Sequence, residues 1–298
     1  MATSESLKKT LNSTEDLYSV VKTMKALAAV SIRQYVQAVE SLSEYNRTVE
    51  MGFQILLRER YFAGKSLCLN LKQKQNVPDK VGAIVFGSDH GLCGQFNEQI
   101  GQYAIKHLSD AASSDSVSIA AVGSRLLPYL NTTPYPIKAQ FALPTSAVGI
   151  GETVQDILLM LDRWQQEQIG KIVLFYNQPI SGSSYRSHSQ QLLPLDADWL
   201  LSLEQKRWSN SVMPTFTLDW EELFSELISQ HLFVSLYRAL AASAASENAS
   251  RLTAMQSAQN NIEERLDVLT AEYRRQRQSA ITSELLDVVA GFEALTEG

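Results

Sequence analysis

From Leu7 the apolar positions recur at steps of three, four or their sums: Leu7, Leu11, Tyr18, Val21, Met24, Ala28, Ile32, Tyr35, Val39, Leu42, Val49, Phe53 and Leu56, with Thr14 and Asn46 as polar interruptions. That spacing is one stripe along one helix. The far end repeats it through Leu223, Leu227, Leu232, Leu236, Leu240, Ala244, Leu252, Met255, Ile262, Leu266, Leu269, Tyr273, Ile281 and Leu285. Asp219 is the expected N-cap there, and Glu221 and Glu222 follow in the first turn, where the helix dipole favours carboxylates. All eight prolines fall between Pro78 and Pro214, and outside that span the only glycines are Gly52, Gly64, Gly291 and Gly298. Both flanks are therefore free to be long continuous helices.

The punctuated middle carries a different pattern. VGAIVF (81–86), VSIAAVG (117–123) and KIVLFYN (171–177) are short apolar runs rich in branched side chains, and helical patterns at 95–109 and 153–167 separate them. Apolar strands alternating with amphipathic helices predict a largely parallel sheet, with SYRSHSQQLLP (184–194) as a further strand. The fold expected is an antiparallel two-helix coiled coil from the termini (1–62 and 218–295) plus a central Rossmann-like α/β domain (78–214).

Length decides how the helices are used. A helix of about 55 residues is roughly 80 Å long and one of about 75 residues roughly 110 Å, whereas a compact chain of this size has a radius of gyration of about 19 Å. Neither helix fits inside such a body, so each is expected to bury its stripe on the other. The stretch ALAASAASENASRLTAM (239–255) is stripped of large side chains, and antiparallel pairing is expected to set it opposite ALAAVS (26–31) for close approach. The second helix outlasts the first by about 20 residues. Its last part, ITSELLDVVAGFEAL (281–295), puts Leu285, Leu286, Val288, Val289 and Phe292 on more than one face, which a lone solvated helix does not tolerate.

Composition narrows the class. A net charge of −6 with no basic stripe argues against nucleic acid and against an anionic membrane surface. The opening MATSESLKKTLNSTED lacks an apolar core behind a basic start, so no secretory signal is expected, and no run reaches the length of a spanning helix. Cys68 and Cys93 are too few for a disulfide framework or a zinc site and are read as plain thiols in a reducing cytosol.

Three stretches carry a family resemblance: KTMKALAAVS (22–31), GSDHGLCGQFN (87–97), and the C-terminal block SLYRALAASAASENASRLTAMQSAQNN (235–261) with YRRQRQSAITSELLDVVAG (273–291). Over its whole length the chain resembles the gamma subunit of F-type ATP synthases. The resemblance implies a non-catalytic rotor that stands in a hexamer of alternating alpha and beta subunits, with its α/β domain on the epsilon subunit and the membrane c-ring, on the cytoplasmic side. One asymmetric shaft in a pseudo-threefold collar cannot touch three subunits equally and so holds them in different states. No cofactor is implied. By position the resemblance makes Met24, with Lys25 beside it, a contact facing the beta subunit, Arg251 a contact in the C-terminal block, and Gln278 and Thr282 contacts near the collar. Glu284, Leu285, Val289 and Phe292 complete the expected partner contacts. Where most members continue the small run with serine and basic residues, this chain has Val30, Ser31, Ile32, Arg33 and Gln34. In that it resembles the divergent alternate branch, proposed to pump sodium.

An enzyme on the α/β domain is the competing class. The turn GSDHGLCG lacks the Lys-Ser/Thr pair of a P-loop and the spacing of a dinucleotide site. It reads instead as a tight strand-to-helix turn built on Gly87, Gly91, Leu92, Cys93 and Gly94. His90, His107, His188 and His231 have no ligand spacing, Asp89 beside His90 is a weak pair, and Ser184 near His188 lacks an acidic third member. Glu221 with Glu222, and Glu263 with Glu264, point to different sides of a helix and read as solvated charge. A free-standing coiled-coil adaptor shares the rod without the three stretches.

Overall fold

A computed structural model describes residues 4–62, 80–111, 116–180, 184–208 and 214–296. Cys68 lies outside them. The main elements are α1 (Ser4–Phe62), β1 (Lys80–Phe86), α2 (Phe96–Ala111), β2 (Val117–Val122), β3 (Ile137–Phe141), α3 (Ile150–Gln166), β4 (Ile169–Pro179), β5 (Tyr185–Leu193), α4 (Ala197–Gln205) and α5 (Trp220–Thr296), with a single helical turn at Leu127–Leu130 between β2 and β3. The two terminal helices hold 59 and 77 residues. None of the described helices is long and apolar enough to cross a membrane.

The stripe of α1 is a seven-residue repeat. Val21, Ala28, Tyr35, Val49 and Leu56 are buried, and half-buried Leu42 completes the row. A second row four residues on runs Leu11, Tyr18, Lys25, Ile32, Val39, Asn46 and Phe53. A repeat of seven is the signature of a coiled-coil seam, since two turns of a slightly under-wound helix return each position to the same side.

Packing divides the chain into two units, Met1–Ala28 with Leu252–Gly298, and Ala29–Arg251. In the first, the start of α1 and the end of α5 pair antiparallel. The α5 seam alternates Leu252, Gln259, Leu266 and Tyr273 with Met255, Ile262, Leu269 and Gln276, all buried or half-buried. A polar layer interrupts it: Lys25 Nζ donates to Gln259 Oε1 at 3.1 Å, Gln259 Nε2 donates to Tyr18 OH at 3.3 Å, and Tyr18 OH donates to Glu263 Oε1 at 2.7 Å. From Arg277 to Phe292 every residue of α5 is exposed.

The second unit is a three-layer α/β body. Its sheet has the order β3-β2-β1-β4-β5, and only β5 runs antiparallel. One face buries Val81, Ala83 and Val85 under Ile100, Ala104 and Leu108 of α2. The other buries Ile84, Phe86 and Leu174 under Val154, Ile157 and Trp164 of α3, together with Leu236, Leu240, Ala241 and Ala244 of α5. A further cluster joins Val49, Phe53 and Leu57 of α1 to Leu200 and Leu203 of α4. In this unit too α1 and α5 run antiparallel, with Tyr45 OH donating to Gln230 Oε1 at 2.5 Å and Trp220 Nε1 to the Leu56 carbonyl at 3.1 Å. Asp219 caps α5, its carboxylate accepting from Glu221 N at 3.3 Å.

The long helices and the α/β fold class stand as expected from the pattern, and β3 and α4 are additions. The reading of 239–255 needs correction. From Ala239 to Arg251 only Ala242 and Asn248 escape full burial, so this stretch is covered on nearly all sides, and its small side chains are matched to the sheet. In 26–31 only Ala28 is buried.

Candidate functional site

In an open parallel sheet the natural ligand crevice lies at the carboxyl ends of the two strands from which the chain winds in opposite directions. Here those strands are β1 and β4. The crevice is filled by α5. Ser243 Oγ donates to the Phe86 carbonyl at 3.4 Å, Ser246 Oγ to the Asn177 carbonyl at 3.0 Å, and Ser250 Oγ to the Cys93 carbonyl at 2.6 Å. These serines sit at steps of three and four, hence on one face of the helix. Each meets a strand-end or turn carbonyl with a directional bond; the Cys93 carbonyl accepts from Phe96 N at 3.3 Å as well.

Glu247 and Arg251 complete that face. Arg251 Nη2 lies 2.5 Å from Glu247 Oε1, and it reaches the carbonyls of His90 and Gly91 at 3.5 and 3.4 Å; Nη1 donates to Asn248 Oδ1 at 3.1 Å. Both residues are buried. Burial pushes the Glu247 carboxyl above its usual range, with the Arg251 charge pulling the other way. A planar guanidinium suits this site because its fork of donors reaches several acceptors at once, which an ammonium cannot do.

The β1–α2 turn that receives Arg251 is held from below. Ser88 N donates to Asn97 Oδ1 at 2.9 Å, Asn97 Nδ2 to Ser88 Oγ at 2.8 Å, and Ser88 Oγ to the His90 carbonyl at 2.9 Å. Gly94 takes φ +57, and a Cβ there would meet Ser250 Oγ at 3.5 Å, so close approach of turn and helix uses a residue free to adopt that backbone. Burial raises the Cys93 thiol above its usual range, away from thiolate chemistry.

The chemistry-bearing pairs weighed in the sequence serve structure. Burial works against ionised Asp89, but the backbone N–H groups of Ser124 at 2.7 Å and Leu143 at 2.6 Å outweigh it and hold its pKa low. His188 stacks edge-on to Tyr176. Glu263 accepts from Tyr18. Among the described residues no group of three or more His, Cys, Asp or Glu side chains is placed to hold a metal.

The expected contact residues fall into two groups. Met24 and Lys25 are half-buried, and Lys25 sits on the seam, tied to Gln259. Arg251 faces inward onto the turn of its own chain. Gln278, Thr282, Glu284, Leu285, Val289 and Phe292 are exposed, Leu285 at 61% and Phe292 at 67%. Thr282 Oγ1 donates back to the Gln278 carbonyl at 2.9 Å. The three serines and Glu247 were not singled out from the sequence. Their spacing of three and four within an alanine-rich stretch was the available signal.

A family model described as ATP synthase matches residues 3–295. An ATP synthase gamma chain of Nostoc punctiforme is 29% identical over 323 residues, covering 99% of this chain and all of that one. The chain belongs to the ATP synthase gamma family. A gamma chain of Thermosynechococcus vestitus is 28% identical over 318 residues, with 99% and 100% covered. Two solved assemblies share the gamma fold. The central stalk with c-ring of the Tetrahymena thermophila mitochondrial ATP synthase has a TM-score of 0.55 and 22% identity over 80% of this chain and 99% of the other. A chain of the Euglena gracilis mitochondrial ATP synthase, in a structure of OSCP, F1 and c-ring, has a TM-score of 0.64 and 16% identity over 98% and 94%. The gamma family is that of a non-catalytic subunit.

Proposed function

We propose that this gamma subunit is the central rotor shaft of the synthase, coupling ion-driven rotation of the membrane c-ring to conformational change in the catalytic beta subunits. The observation that carries the reading is the end of α5. Its seam stops at Gln276, yet Ile281, Leu285, Leu286, Val288, Val289 and Phe292 continue beyond it, each at least 44% exposed. Apolar residues spread round a helix belong inside a surrounding apolar collar. The hexamer of alternating alpha and beta subunits supplies one. Gln278, Thr282 and Glu284 are the polar contacts at its edge, and Met24 with Lys25 faces the beta subunit. In this reading Arg251 reaches the collar only through the helix it positions. The α/β body rests on the epsilon subunit and the c-ring, on the cytoplasmic side of the membrane, as a peripheral part of the complex.

The relatives' names and the neighbours' place in stalk and c-ring assemblies support this assignment. Purification tests it. The chain is expected to co-purify with a large ATPase at one copy per three catalytic subunits, and recovery as a stable monomer with its own turnover would overturn the reading. Met24→Lys is expected to assemble normally while lowering the number of ions moved per ATP.

A further inference from the structure

We infer that Ser243, Ser246, Ser250 and Arg251 are positioning residues for energy coupling: they fix α5 to the carboxyl ends of β1 and β4, so that a twist carried by α5 is delivered to the sheet. The inference rests on the rotor reading and names the fixing point within it.

The argument is mechanical. A smooth apolar helix lying on a smooth apolar sheet is held by non-directional forces, and such contacts tolerate a slide or a turn about the helix axis. Leu236 and Leu240 interlock with the sheet at the start of this contact, but along the serine segment Ala241, Ala244 and Ala245 offer little bulk to do so. What resists slippage is direction-dependent. Three hydroxyls aim at three fixed carbonyls, of Phe86, Asn177 and Cys93, spread over β1, β4 and the β1–α2 turn. The Arg251 fork closes the row by tying the helix to the His90 and Gly91 carbonyls and to Glu247 one turn back. The acceptors do not yield, for Ser88 and Asn97 brace the turn and Ser187 Oγ braces Asn177 Oδ1 at 2.8 Å. A helix built to fill an empty crevice would need only volume. This one sends directional bonds to five carbonyls, those of Phe86, His90, Gly91, Cys93 and Asn177, at the sheet position where related topologies hold a ligand.

The test uses the assembled complex in sealed vesicles. Ser243→Ala, Ser246→Ala and Ser250→Ala together remove the three hydroxyl bonds, at a loss of one oxygen atom each and with helix propensity slightly raised. The expected result is retained ATP hydrolysis with a loss of ions pumped per ATP, and hydrogen exchange at the amides of 243–251 faster by about tenfold, as loss of these bonds releases the helix locally. Arg251→Lys keeps the charge beside Glu247 but not the fork, and is expected to speed exchange in the same segment. Unchanged pumping per ATP in the serine variant overturns the inference even if exchange quickens, because the bonds would then serve folding alone. In that case the rotor reading stands; a wild-type chain that never enters the complex removes both.

Discussion

Gly123 gives the sharpest stability prediction, because it lies under the turn that receives α5. Its φ is +101, and a Cβ there would stand 2.7, 2.8 and 2.9 Å from the N, O and C atoms of Ser88. Those are backbone atoms, and both polar ones are committed: Ser88 N to Asn97 Oδ1 and Ser88 O to Arg125 N, each at 2.9 Å. Gly123 N is itself held to the Phe141 carbonyl at 2.9 Å. Gly123→Ala must therefore either strain its own backbone, at about 1–3 kcal/mol, or displace Ser88, at about 1–3 kcal/mol for an overpacked site. With both in play the loss is about 2–6 kcal/mol, a large part of the roughly 5–15 kcal/mol that holds a protein folded. The control is Gly151→Ala in the first turn of α3, where an added Cβ meets nothing within 4 Å. That change is expected to stabilise by about 0.4–1 kcal/mol through the unfolded chain. Urea unfolding followed by far-UV circular dichroism reads both from the midpoint at constant slope. A Gly123→Ala midpoint equal to wild type, or an equal loss in Gly151→Ala, would refute the reasoning.

Three further outcomes are expected. Burial lowers the His231 pKa, with Glu50 opposing, so the neutral ring is favoured in the fold and the unfolded chain takes the proton first as pH falls. Stability should fall as pH drops through about 6.5, and His231→Phe should flatten that fall, measured as the difference in urea midpoint between neutral and mildly acidic buffer. Leu269→Ala, at a position 2% exposed on the α5 seam, should cost about 2–5 kcal/mol if the site collapses poorly, and quicken hydrogen exchange in 252–276. Leu286→Ala, at a position 61% exposed, should change the stability of the isolated chain by no more than about 0.5 kcal/mol yet lower its recovery in the ATPase complex.

Much of this architecture is legible in the amino-acid order because single physical rules dominate there. Val21, Ala28, Tyr35, Leu42, Val49 and Leu56 repeat by seven over a stretch with no proline, and nothing competes with a coiled-coil reading. β1 and β2 are nearly all apolar because the sheet is covered on both faces. β3 escapes notice because IKAQF sits at the sheet edge, half-buried on alternate residues and crowded by Pro134, Pro136 and Pro144. α4 escapes because nine residues carry too few turns for a period, though Asp196 caps it by accepting from Asp198 N. The candidate site was harder. Small residues in 239–251 announce close packing, but periodicity does not say against what, and only the fold brings Phe86, Cys93 and Asn177 beneath them. Lys25 shows the same limit: the repeat places it on the seam, while its partner Gln259 is fixed by the register of a helix more than two hundred positions away.

Rotation itself is the most direct test of the central claim. A bead attached through Val148→Cys, a position 93% exposed on the α/β body, in a Cys68→Ser background where Cys93 is buried, reports the motion of this chain in a complex anchored by its catalytic subunits. The account predicts one-way turning driven by ATP, with three equivalent stops per revolution. A bead that stays still while the same complexes hydrolyse ATP would contradict it.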